Sequence, residues 1–73
     1  MATEIKAHIT GNVWKVLVKA GDEVSEGDTL IIFESMKMEI PIEAEDDGTV
    51  VEVKVEEGQA VTEGDVVVLF EED

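Results

Sequence analysis

One stretch of this chain is equipped for covalent chemistry, Glu34-Ser35-Met36-Lys37-Met38-Glu39, in which a lysine stands between two thioethers. A lysine amine is a nucleophile once it has lost its proton, so an enzyme supplying the base could acylate it and hang a group on its flexible stem. Methionine on either side offers an adaptable apolar surface by which such an enzyme could read the position. The plain alternative is that Met36 and Met38 cap the end of a core, with Met38 packed inward as the first residue of a strand, and that Lys37 is only a solvated charge. Little else in the composition competes for a chemical role. There is no cysteine to serve as thiol nucleophile, redox pair or zinc ligand, and His8 is the single imidazole. The acidic run Glu43-Ala44-Glu45-Asp46-Asp47-Gly48 lacks the alternating ligands of a calcium loop. Asp47-Gly48 reads instead as a turn entering a strand, so no metal site is expected.

For Lys37 to be reached, something rigid must hold it clear, and the sequence builds that scaffold twice. Displaced by 37 positions, Gly11-Asn12-Val13-Trp14-Lys15-Val16-Leu17-Val18-Lys19-Ala20-Gly21 falls on Gly48-Thr49-Val50-Val51-Glu52-Val53-Lys54-Val55-Glu56-Glu57-Gly58. Val24-Ser25-Glu26-Gly27-Asp28 then matches Val61-Thr62-Glu63-Gly64-Asp65, and Phe33-Glu34 matches Phe70-Glu71. Between residues 11–34 and 48–71, 11 of 24 positions are identical, where composition alone would give about two or three. All six glycines fall into matched pairs, which implies that both copies turn in the same places.

Within each copy the apolar period is two. Val51, Val53 and Val55 alternate with Glu52, Lys54 and Glu56, as half-buried strands do, and Trp14, Val16 and Val18 follow less cleanly. Val and Ile number 18 against 8 for Leu and Ala, a choice of β-branched side chains that favours pleated sheet over helix. Further strands are expected at Ile5 to Ile9, Leu30 to Phe33, Met38 to Ile42 and Val66 to Phe70, with tight turns at Gly21-Asp22-Glu23, Ser25-Glu26-Gly27-Asp28 and their counterparts. Phe33 and Phe70 are symmetric core candidates, Trp14 a half-buried strand residue and His8 a surface residue of the first strand. Pro41 calls for a sheet edge or an unpaired amide.

Two such units would bury their apolar faces against each other, giving an all-β, flattened barrel or sandwich with approximate two-fold symmetry in one unit over 1–73. The junction at residues 35 to 38 is then equivalent to the place where the chain ends. The Lys37 turn is expected at one tip, with both termini at the other.

The charge balance, 19 Asp and Glu against five Lys and no Arg, net −14, would repel nucleic acid and anionic membranes. The opening Met1-Ala2-Thr3-Glu4-Ile5-Lys6 is not a basic segment leading into an apolar run, and no stretch approaches the roughly 20 apolar residues of a membrane span. A cytoplasmic monomer is the expectation.

Glu34-Ser35-Met36-Lys37-Met38 resembles the attachment motif of biotinyl domains, in which a small residue precedes Met-Lys-Met. The likeness extends through Gly11-Asn12-Val13, Gly21-Asp22, Val24, Gly27-Asp28, Gly48-Thr49-Val50, Gly58 and Gly64, nearly the whole chain. It implies a barrel-sandwich hybrid of two quasi-symmetric four-stranded sheets, with the modified lysine in a hairpin. It also implies that the chain catalyses nothing itself. A biotin protein ligase would join biotin to Lys37, Met36 and Met38 would be read by partners, and carboxybiotin would shuttle between biotin carboxylase and carboxyltransferase. Glu34-Ser35 also suits lipoyl domains, so lipoate on Lys37 is the alternative, followed by an unmodified lipoyl-like interaction module. The turn at 20–28 is as short as its counterpart at 57–65, without the protruding thumb of some carboxylase carriers. With Pro41 the single proline, no Pro-rich linker is visible, as expected of a free-standing chain or a bare excised domain.

Overall fold

The computed structural model describes residues 2–73. Met1, with which the predicted 1–73 unit begins, lies outside them. Eight strands follow in order: β1 Ala2–Lys6, β2 Gly11–Val16, β3 Glu23–Val24, β4 Thr29–Ser35, β5 Met38–Glu43, β6 Gly48–Val53, β7 Ala60–Val61 and β8 Val66–Glu72. They form two four-stranded antiparallel sheets, β1-β8-β6-β3 and β5-β4-β2-β7, with no helix among the described residues. Each sheet takes strands from both copies, so neither half closes a core alone. The barrel-sandwich hybrid expected from the resemblance is the fold observed.

The internal symmetry extends to single hydrogen bonds. The Ala7 amide donates to the Asp65 carbonyl at 2.9 Å as Ala44 donates to Asp28 at 2.8 Å, and Val13 donates to Gln59 as Val50 does to Asp22, both at 2.8 Å. Gly21, Gly27, Gly58 and Gly64 all have positive φ, 87° to 95°, which an L side chain reaches only with strain. In the turns around them the carboxylates of Asp28 and Asp65 accept from the amides of Ser25 and Thr62, each at 2.9 Å. These side chains stand in for backbone partners the turn leaves without one.

Four bulges, in two symmetric pairs, decide which way the side chains face. Register shifts opposite Leu30 and Val67 let neighbouring residues of one strand both point inward, so Leu30, Ile31, Val67 and Val68 are all fully buried. Shifts at Trp14 and Val51 do the reverse, turning Trp14 with Lys15 and Val51 with Glu52 toward solvent. Phe33 and Phe70 fill the centre as matched core residues, and no polar side chain is buried among the described residues.

Two sequence expectations are corrected. The first strand ends at Lys6 rather than Ile9, so His8 lies in a bend beyond it, exposed. The cause is the amide and carbonyl of Ala7, which turn away to bond Asp65 and Gly64. Glu23, expected in a turn, belongs to β3, where it and Val24 pair with Thr49 and Gly48. Its counterpart β7 pairs with Asn12 and Gly11. Pro41 does lie on an edge strand, β5.

Candidate functional site

β4 and β5 are joined by a hairpin whose loop is two residues long, Met36 and Lys37, closed by the pair Ser35 and Met38. Loops of this length match the twist of their strands when both residues are left-handed, and Met36 has φ 52° and Lys37 φ 65°. For residues with a Cβ this costs about 1–2 kcal/mol each, and asparagine and glycine usually carry it. The chain accepts that strain with a methionine and a lysine, at the junction of its two copies.

The root of the hairpin is pinned from one side. The Ser35 hydroxyl donates to the Thr10 carbonyl at 3.1 Å, and Thr10 Oγ1 accepts from the Glu63 amide at 3.2 Å, tying the hairpin to the turn after β7. Gly11 makes the close approach possible, since a Cβ there would stand 2.7 Å from the Glu34 carbonyl oxygen and 3.2 Å from the Ser35 Cβ. Thr10 was not identified as part of the site from the sequence. Its signal lay in the pairing of Gly11 with Gly48, since at Gly48 a Cβ would likewise collide with the Glu71 carbonyl and the Phe70 ring.

The side chains at the tip do not belong to the core. Met36 is 92% exposed and Met38 63%. This overturns the reading in which both cap the interior and the one in which Met38 packs inward. Pairing opposite Ser35 at the first position of β5 sets the Met38 side chain outside the two sheets. Lys37 is exposed as well. The one ion pair among the described residues joins Lys54 to Glu52, leaving the Lys37 ammonium outside any such pair. Immediately below, Glu34 and Glu39 face each other across the strands, a like-charge pairing that disfavours the hairpin locally.

The termini are distant from this turn. From Met38 the chain runs along β5 and on to Asp47, whose carbonyl accepts from the Asp73 amide at 3.1 Å, while Ala2 pairs with Glu71. The lysine thus lies at one tip of a body 35 Å long, with Ala2 and Asp73 toward the other. A partner could enclose the lysine tip without meeting the termini. No group of three or more His, Asp or Glu side chains placed to hold a metal ion occurs among the described residues.

This architecture has known counterparts. The family model described as biotin-requiring enzyme matches residues 1–70. The chain is 52% identical over 44 residues to a "biotinylated protein TB7.3 homolog" of Mycolicibacterium smegmatis, covering 60% of this chain and 62% of that protein. It is 54% identical over 41 residues to a "biotin/lipoyl attachment protein" of Bacillus subtilis, covering 56% of each. The stretch matched is thus less than two thirds of either relative's length. In three dimensions it superposes on part of a single-chain, multi-domain long-chain acyl-CoA carboxylase with a TM-score of 0.94 at 30% identity, over 99% of this chain and 7% of the larger one. The internally doubled sheets, the strained lysine hairpin and the match over residues 1–70 together make this chain a member of the biotin/lipoyl attachment family.

Proposed function

We propose that this chain is a biotin carboxyl carrier and that Lys37 is its attachment point. A biotin protein ligase would activate the biotin carboxylate as an acyl-adenylate. The Lys37 amine then attacks the acyl carbon, the amide bond forms, AMP leaves, and a base of the ligase takes the proton. Biotin, once attached, supplies a ring nitrogen on which a carboxyl group travels between a biotin carboxylase and a carboxyltransferase. The domain contributes anchoring. Its two sheets fix the base of the arm, the lysine stem supplies reach, and tethering raises the local concentration of the cofactor. Met36 and Met38 serve as the surface the partners read. The chain works as a monomer in the cytoplasm.

The observation that supports this reading is a lysine at a strained, exposed tip with two exposed methionines beside it, remote from the termini. The names of the relatives, biotinylated protein and biotin/lipoyl attachment protein, favour the same cargo. A second reading, lipoate on Lys37, draws on Glu34-Ser35 and on the second of those names.

Intact mass after expression with biotin protein ligase, lipoate ligase and both cofactors distinguishes the readings. One biotinoyl increment, absent from Lys37→Arg, is expected. A lipoyl increment would replace the first reading by the second, and an unmodified chain would leave an interaction module.

A further inference from the structure

The internal duplication supplies its own control. Positions alike in both copies are those the fold requires, so exposed positions where one copy is bulkier or more apolar than the other need another explanation. On the outer face of the lysine-bearing sheet, Lys15, Ile32 and Pro41 lie in one cross-strand row. Trp14 is turned outward beside them by its bulge, with the Lys15 ammonium 5.6 Å from its ring centre. Leu17 follows, 51% exposed, with Trp14 at 42%. The equivalent residues on the other sheet are Val51 for Trp14, Lys54 for Leu17, Leu69 for Ile32 and Glu4 for Pro41, with Glu4 and Leu69 paired as Pro41 and Ile32 are. The same fold closes there with a smaller side chain, a cation and a carboxylate, so Trp14, Leu17 and Pro41 are not demanded by folding.

This patch begins about 14 Å from the lysine turn, since Pro41 is four residues beyond Lys37 at about 3.4 Å each. Glu34 and Glu39 border it toward the tip and Glu43 on the far side. We infer that this face docks the domain on the biotin carboxylase, through an apolar hollow rimmed by Arg and Lys. The inference rests on the carrier reading. In the ligase reaction the reacting atom is the Lys37 nitrogen, so the enzyme must enclose the turn. In the carboxylase reaction the reacting atom sits at the far end of the arm, and affinity for the domain has to come from its body. An apolar centre with one cation, Lys15, held at the Trp14 ring, and bounded by three carboxylates, on a chain of net charge −14, complements a basic-rimmed surface.

The triple variant Trp14→Val, Leu17→Lys, Pro41→Glu installs what the other copy already carries and leaves the net charge unchanged. Wild type and variant are biotinylated with a biotin protein ligase, checked by intact mass, and offered to the purified biotin carboxylase subunit of the source organism with ATP and bicarbonate, beside free biotin. Expected are equal biotinylation rates and unfolding midpoints, a wild type far better than free biotin, and a KM about tenfold higher for the variant. Added salt should raise the wild-type KM more than that of Glu34→Gln/Glu39→Gln/Glu43→Gln. A variant with wild-type KM, or a wild type no better than free biotin, overturns the docking face. So does a matching loss of biotinylation rate, which would give the patch to the ligase, or a wild-type dimer that the variant converts to monomer. A wild type that gains no biotinoyl mass fails at the earlier step and removes the carrier reading as well.

Discussion

Met36 and Lys37 stand in a conformation that neither side chain favours. With Glu34 opposite Glu39 just below, the hairpin breaks two local rules within six residues. Such conflicts persist where the surroundings over-determine the geometry and the site needs those side chains. Here the overdetermination comes from Ser35 on Thr10 and from Gly11 against Glu34. Met36→Asn should therefore stabilise the domain by about 1 kcal/mol, because asparagine accepts the left-handed region more readily. Urea unfolding measures this, and a loss of stability would mean that Met36 contributes packing which its exposure does not suggest. The same variant should be a poorer ligase substrate, as it removes one of the two thioethers. Lys37→Arg keeps the charge and a similar stem, so its unfolding midpoint should match wild type. Its biotinoyl increment should vanish, because a guanidinium stays protonated and is a poor nucleophile.

At the level of strands and turns, the two copies test each other. Gly11 and Gly48 occupy matched places, yet a Cβ at Gly48 meets both the Glu71 carbonyl and, at 2.6 Å, the Phe70 ring, while at Gly11 it meets backbone and the Ser35 Cβ. Gly48→Ala should cost more than Gly11→Ala, the first about 2–3 kcal/mol and the second about 1–2, as overpacking does. Reversal of that order in urea titrations would show that the chain end beside Glu71 yields more easily than the pinned hairpin. The duplication, the longer strands and the place of the lysine turn were legible because each follows from the 37-residue offset and a period of two. The four bulges were not. A bulge inserts one residue without altering composition, so Leu30-Ile31 and Val67-Val68 read as continuous apolar runs while strict alternation would send one of each pair outward. For the same reason Trp14 could be placed on a strand but not beside Lys15. The two-residue strands at β3 and β7 were hidden because their pairing partners, Gly48 with Thr49 and Gly11 with Asn12, lie far away in sequence. The turn itself carried no turn residues, so its conformation had to be seen.

Across the whole molecule, charge sets two quantities with opposite dependence on salt. The described residues hold one ion pair, Lys54 to Glu52 at 3.3 Å and largely exposed, against a formal net charge of −14. Carboxylates spread over a body 35 × 18 × 17 Å repel one another across most of its width when the screening length is about 30 Å, near 0.01 M salt. Above 0.1 M, where that length falls below about 10 Å, only neighbours still interact. The folded state holds these charges closer than the unfolded chain does, so screening should favour folding. The urea midpoint should thus rise steadily from 0.01 to 0.5 M NaCl and level off as the screening length drops below the spacing of adjacent carboxylates. A flat or falling midpoint would mean that the carboxylates are already compensated. Association with the basic-rimmed enzyme proposed above would be governed by the same field with the opposite sign, since attraction at a distance is what salt removes. Over that salt range the association rate of the biotinylated chain with its carboxylase should fall while the chain itself becomes more stable, a divergence that partial unfolding at high salt could not produce.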